Sequence, residues 1–100
     1  MTSILPAVSA PTDPRPFRVS RDDVTLSGEV DGSGPAVLLL HGATATRRYV
    51  LHGSRALARA GHRVVAFDAR GHGVSTGPHD PEAYTYATLA ADARAVLDEL

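Results

Sequence analysis

The sequence predicts an α/β fold in which an N-terminal hairpin is followed by a β-α-β-α run on a mostly parallel sheet. Two short runs, Ala36–Leu40 and Val64–Phe67, are apolar without alternation, the pattern of strands hidden on both faces. Each is followed by a turn and then by a stretch with helical spacing of its apolar residues. Strands that alternate with helices imply right-handed crossovers and parallel pairing.

Composition sets the outer limits. A chain of 100 residues holds one small domain. With 43% hydrophobic and 21% charged residues it is globular, which excludes a disordered tail, a collagen and a mucin-like stalk. A net charge of -1 offers no basic surface to phosphates, so no nucleic acid partner is expected. Cysteine is absent, and with it any disulfide framework, thiolate metal site or cysteine nucleophile. No stretch approaches the roughly 20 apolar residues of a membrane span. The N-terminus has no basic start, and Pro6 interrupts its short apolar run. Neither a membrane nor a secretory signal is therefore expected, and a cytoplasmic protein is the default.

The elements follow in order. Residues 1–16 carry Pro6, Pro11, Pro14 and Pro16 among small residues and are expected to form a poorly ordered leader, with the domain proper over 17–100. Phe17–Arg21 and Val24–Val30 read as strands joined tightly at Asp22-Asp23. Asp31 to Pro35 is a turn. The first central strand, Ala36–Leu40, stops at His41-Gly42. A helix is expected over Arg48–Ala60, with Val50, Leu51, Leu57 and Ala58 inward and Gly61 as its stop. The second central strand, Val64–Phe67, ends at Asp68, and a polar, glycine-rich loop runs from Ala69 to Asp80. Tyr86, Leu89, Ala93, Val96, Leu97 and Leu100 then form one apolar helical stripe, with Asp92, Arg94, Asp98 and Glu99 off it. Thr85, or Asp80 followed by Pro81, can cap its start.

Three local patterns lie at the C-terminal ends of the two central strands, where open α/β sheets place ligands. In the first, His41-Gly42-Ala43, a glycine after a buried strand lets the backbone turn and present amides outward. Amides aimed at a developing oxyanion stabilise acyl transfer; alone, the pattern is equally that of an ordinary strand-to-helix turn. The second is Asp68-Ala69-Arg70-Gly71-His72-Gly73-Val74-Ser75. The third, Gly73-Val74-Ser75-Thr76-Gly77, matches the G-x-S-x-G nucleophile elbow, which needs a strand running up to the motif and a helix starting at its serine. The strand ends at Asp68 and Pro78-His79-Asp80-Pro81 follows, so the match is read as coincidence. Nor do the glycines cradle a dinucleotide, since Thr76 stands where a third glycine is needed.

The remaining polar residues receive plain readings. His52 and His62 are expected to face solvent beside the first helix. His72 and His79 share no ligand spacing with a carboxylate pair, so no metal is expected. Tyr49, Tyr84 and Tyr86 are read as packing residues with wet hydroxyls. Arg47-Arg48 reads as a solvated helix start, with proximity to an anionic substrate as the alternative.

Taken together, the leading hairpin, the strand entering His41-Gly42, the helix after it and the Asp-x-Arg-Gly-x-Gly-x-Ser loop resemble the N-terminal part of the α/β-hydrolase superfamily over residues 17–100. The resemblance implies an incomplete α/β-hydrolase fold that ends before the nucleophile elbow. It implies that the Ala43 backbone N–H is half of an oxyanion hole, next to Gly42, with His41 bracing the loop. Asp68, Arg70, Gly71, Gly73 and Ser75 would be architectural. Nucleophile, acid and base would lie outside the chain, so these residues alone would be inactive. The implied activity of the complete protein is that of a serine-type, esterase-like hydrolase acting on a small-molecule substrate without cofactor; the oligomeric state stays open. Epoxide hydrolases and haloalkane dehalogenases of the superfamily usually carry proline where this chain has Thr44, which favours the esterase-like chemistry. The alternative is a non-catalytic binding module on the same fold, marked by an elbow that lacks Ser, Cys or Asp.

Overall fold

A computed structural model describes residues 14–43 and 45–100. Most of the expected leader, together with Thr44, lies outside the described residues. Strand β1 spans Arg15–Arg21 and β2 spans Val24–Asp31. The hairpin begins two residues before Phe17, so Arg15 and Pro16 pair in β1 rather than belonging to a leader. Proline is tolerated there because β1 lies at the sheet's edge. The turn is carried by Asp22 (φ 49) and Asp23 (φ 64), two consecutive left-handed residues as in the tightest hairpin link.

Strand β3 (Ala36–Leu39) is followed by helix α1 (Arg47–Leu51), helix α2 (Arg55–Arg59) and strand β4 (Arg63–Phe67). A 3-10 turn (Pro81–Tyr84) and helix α3 (Tyr86–Glu99) complete the order. The strands lie β1-β2-β4-β3. The parallel pairing expected between the two apolar strands is present, with Val37 opposite Val64 and Leu39 opposite Ala66. The hairpin extends this pair antiparallel, Gly28 facing Phe67 and Asp31 facing Val64, so the sheet is mixed.

β4 is central, and α3 lies on one face of it. Val65 and Phe67 pack there with Val19, Leu26 and Val96, the last wholly buried. Burying each such side chain contributes about 1.5–3 kcal/mol. Val64 and Ala66 alternate to the other face and are equally buried, where α1 and α2 cover the strand.

Several expectations are corrected. β3 is not hidden on both faces: among the described residues it is an edge strand, its side chains are exposed or half-buried, and Leu40 is 60% exposed. The single helix expected over Arg48–Ala60 is two helices of five residues each. Gly53 adopts φ 79 between them, a left-handed conformation that ends the first helix. The break turns Leu57 outward, and only Ala58 of the expected inward set is fully buried. On α3, Tyr86 is 91% exposed and Leu97 partly so, whereas Asp92, placed off the stripe, is buried. Position 92 falls one turn after Leu89 and one before Val96, on the inward face. Both proposed caps are used, Asp80 Oδ1 accepting from the Glu82 amide at 3.0 Å and Thr85 Oγ1 from the Thr88 amide at 3.2 Å.

Candidate functional site

The C-terminal ends of β3 and β4 each run into a turn, and the two turns face each other. Ala43 lies past the end of β3, outside any ladder, and is exposed. The peptide before it is held from one side. The Gly42 carbonyl accepts from the Ala45 amide at 3.1 Å and from His41 Nδ1 at 2.7 Å. His41 Nε2 in turn accepts from the Ala69 amide at 2.9 Å. This pairing requires the neutral Nδ1–H tautomer, the one form that donates at Nδ1 and accepts at Nε2. In a trans peptide the C=O and N–H point oppositely. Fixing the Gly42 carbonyl toward His41 therefore turns the Ala43 N–H away from it, and among the described residues that N–H has no partner. Two hollows border the loop. An open depression is lined by Gly42, Ala45, Thr46, Arg48, Tyr49 and His52, and an apolar cavity of about 290 Å³ by Leu40, His41, Phe67, Ala69, Leu89 and Ala93.

The loop after β4 is built on buried polar groups, each with partners. Asp68 Oδ1 accepts from the Arg47 amide at 2.7 Å, serving one of the unpaired amides at the start of α1. Its Oδ2 accepts from Arg47 Nη1 at 2.6 Å and from the Val74 amide at 3.1 Å. Arg47 Nε also donates to Glu29, so Arg47 is an internal strut tying β2, α1 and the Asp68 loop, not a solvated helix start. Ser75 Oγ donates to the Asp68 carbonyl and accepts from the Ser27 amide at 2.9 Å. Thr76 Oγ1 accepts from the Thr25 amide at 2.9 Å. The loop thus takes over the edge of β2 where β4 has ended. Gly71 and Gly73 hold left-handed turns; a Cβ on Gly73 would sit 2.5 Å from the Asp68 carboxylate.

Arg70 and Asp92 form a second strut. Arg70 Nε and Nη2 meet the two carboxylate oxygens at 2.7 and 2.9 Å, and Arg21 Nη1 joins at 2.6 Å. The hydrogen bond to Asp92, opposed by burial, raises the Arg70 guanidinium above its ordinary value. A fork-on-carboxylate contact of this kind links the hairpin, the loop and α3.

By sequence His72 is an unremarkable loop residue, yet its two ring nitrogens reach the carbonyls of Ala43 (2.5 Å) and Arg70 (2.9 Å). Its ring lies 5.2 Å from that of His41. Its place between two glycines, which let the loop fold over the neighbouring turn, is the only sequence signal for this. The signal for Asp92 was its helical register; for Arg47 there was none, because its partners are distant in sequence. His52 and His79 are exposed, Tyr49 is 79% exposed, and the Tyr84 hydroxyl donates to the Pro78 carbonyl at 2.7 Å. Among the described residues no three His, Asp or Glu side chains gather to hold a metal, and no helix is long and apolar enough to cross a membrane.

A model of the alpha/beta hydrolase fold family matches residues 35–100. An epoxide hydrolase of Caballeronia sordidicola is 34% identical over 84 residues, covering 84% of this chain and 26% of the relative. Epoxide hydrolase B of Mycobacterium tuberculosis is 44% identical over 81 residues, covering 81% of this chain and 23% of the relative. Among solved structures, epoxide hydrolase A from Mycobacterium thermoresistibile superposes with a TM-score of 0.80 at 35% identity, over 87% of this chain and 28% of that one. A thioesterase domain from the curacin biosynthetic pathway superposes with a TM-score of 0.78 at 28% identity, over 88% of this chain and 33% of that one. The chain spans about a quarter of the length of the curated relatives named.

Proposed function

The chain belongs to the alpha/beta hydrolase fold family, and on that premise we propose that it contributes the oxyanion-side loop of a hydrolase, with the Ala43 N–H as one of the amides that meet negative charge on the substrate. The observation that carries this reading is the Gly42 carbonyl, tied back by His41 and Ala45 so that the Ala43 N–H faces outward at the end of β3. Hydrolysis of a carbon–oxygen bond gathers negative charge on an oxygen. An amide already held in place meets that charge without reorganising, which is where such sites gain most of their effect. Gly42 leaves room for a substrate oxygen: apart from its chain neighbours, no atom of the described residues lies within 4 Å of where a Cβ would stand. Asp68, Arg70, Gly71, Gly73 and Ser75 keep the facing turn in shape. On this reading none of the described residues is assigned as nucleophile, base or acid.

For the substrate, the first reading is an epoxide opened by water to a diol, supported by the likeness to proteins named epoxide hydrolases. The second is an ester or thioester. It is favoured by Thr44 in place of the proline that the resemblance leads one to expect in epoxide hydrolases, and by the likeness to a thioesterase domain. The test is to supply the intact protein with styrene oxide and, separately, with 4-nitrophenyl acetate. Diol formation from the first carries the epoxide reading, and nitrophenol release alone carries the second. Inertness toward both, with Ala43→Pro as silent as the parent, removes the hydrolase reading in favour of a binding module.

A further inference from the structure

Both ring nitrogens of His72 face carbonyl oxygens. Nε2 lies 2.5 Å from the Ala43 oxygen and Nδ1 lies 2.9 Å from the Arg70 oxygen. A carbonyl only accepts, and a neutral imidazole carries a single N–H. The arrangement is fully hydrogen-bonded only when both nitrogens carry protons. His41, 5.2 Å away, has the opposite arrangement, an amide donor at Nε2 and a carbonyl at Nδ1, and is complete as a neutral ring. The other ionisable groups on the surrounding segments are committed elsewhere: Asp68 at the end of β4 to Arg47 of α1, Arg47 also to Glu29 of β2, and the Arg70 guanidinium to Asp92 of α3. None of them supplies an acceptor in place of the two carbonyls.

We propose that His72 is the positioning residue of the Ala43 turn, a protonated clamp whose two N–H groups fasten the Ala43 carbonyl to the loop after β4. His41 fixes the peptide before Ala43 through the Gly42 carbonyl, and His72 fixes the peptide after it. The residue is thus held from both sides by two unlike histidines. When the His72 ring loses one proton, one of its two carbonyl contacts is released, and the Ala43 turn loosens. The clamp itself stands on the hydrogen-bond geometry; its consequence for turnover rests on the reading of Ala43 given above.

The experiment follows the His72 ring nitrogens and the Ala43 amide by NMR in the intact protein labelled with 15N-histidine and 15N-alanine, between about pH 5 and 8, where imidazole changes charge. The Ala43 resonance is expected to move with the same midpoint as the His72 ring. That movement is expected to vanish in His72→Gln, whose side-chain amide donates at every pH. Titration of His72 with Ala43 motionless overturns the proposal, and so does an Ala43 shift that persists unchanged in His72→Gln. The wild-type titration needs no variant, so poor folding of the substituted protein leaves it decisive. Turnover separates the two claims. A fall in the parent's kcat of about tenfold or more as pH rises through the His72 midpoint, with KM held and the fall absent in His72→Gln, supports both; coupled NMR shifts with kcat unmoved support the clamp while removing the oxyanion role of Ala43.

Discussion

Ser75 Oγ donates to the Asp68 carbonyl and accepts from the Ser27 amide, so its hydrogen-bonding capacity is spent inside the fold. A serine held this way is a joint between β2 and the loop. Ser75→Ala leaves a buried amide and a buried carbonyl unpaired, a cost of about 1–3 kcal/mol. The expected result is a lowered urea midpoint with kcat of the intact protein unchanged; lost kcat at full stability would return Ser75 to the reacting groups. Asp92 is a larger test. Arg70 and Asp92 are 4% and 1% exposed, and breaking a buried pair by removing one partner costs about 3–5 kcal/mol. Asp92→Asn should therefore unfold the chain at far lower denaturant, while Arg94→Ala, on the solvent side of α3, should not. Because the Arg70 guanidinium is raised, its contribution is present in full below the ordinary arginine range and lost only as pH rises through the folded value. The Arg70 side of the pair accordingly adds no pH dependence near neutrality. Ser75 was legible in sequence because the elements round it are wrong for an elbow. Asp92 is buried against expectation: an acid is by type a surface residue, but its register with Leu89 and Val96 points inward.

The hairpin and the two central strands were legible as elements because each carries its own punctuation: Asp22-Asp23, Asp31 to Pro35, His41-Gly42 and Asp68. The joint between α1 and α2 was not. Gly53 alone is a weak helix breaker, costing about 1 kcal/mol relative to alanine, so a spacing argument runs straight through it. The stop at Gly53 is set together with tertiary anchors: Asp68 holds the start of α1 through Arg47, and α2 returns the chain to the start of β4. The Asp22-Asp23 turn invites improvement at the same scale. Both residues are left-handed, a conformation that Asn-Gly adopts at less cost. Replacing the pair by Asn-Gly should raise stability by roughly 0.5–1 kcal/mol. Thermal unfolding followed by circular dichroism would read this as a higher Tm, and a lower one would mean that Arg21–Asp22 (3.5 Å) matters more than the backbone.

Across the molecule, the order of elements was readable and the polar network was not, because its partners, Arg21 with Asp92 or Ser27 with Ser75, are separated by most of a domain's length in sequence. The exposed rim of β3 was misread for a related reason. An apolar run records that a strand is meant to be covered, not which residues cover it. Among the described residues β3 pairs on one side only, with Leu40 60% exposed beside it. An unpaired apolar edge presents free amides and carbonyls to any other strand, which is the geometry of edge-to-edge association. A polypeptide of these 100 residues, expressed alone, should therefore elute as a dimer or larger species in size-exclusion chromatography with light scattering. Leu40→Lys sets a charge beside that edge without touching the core, and should shift the population toward monomer. A monomeric parent with a cooperative melt would overturn this expectation and mean that self-association needs more than an open strand.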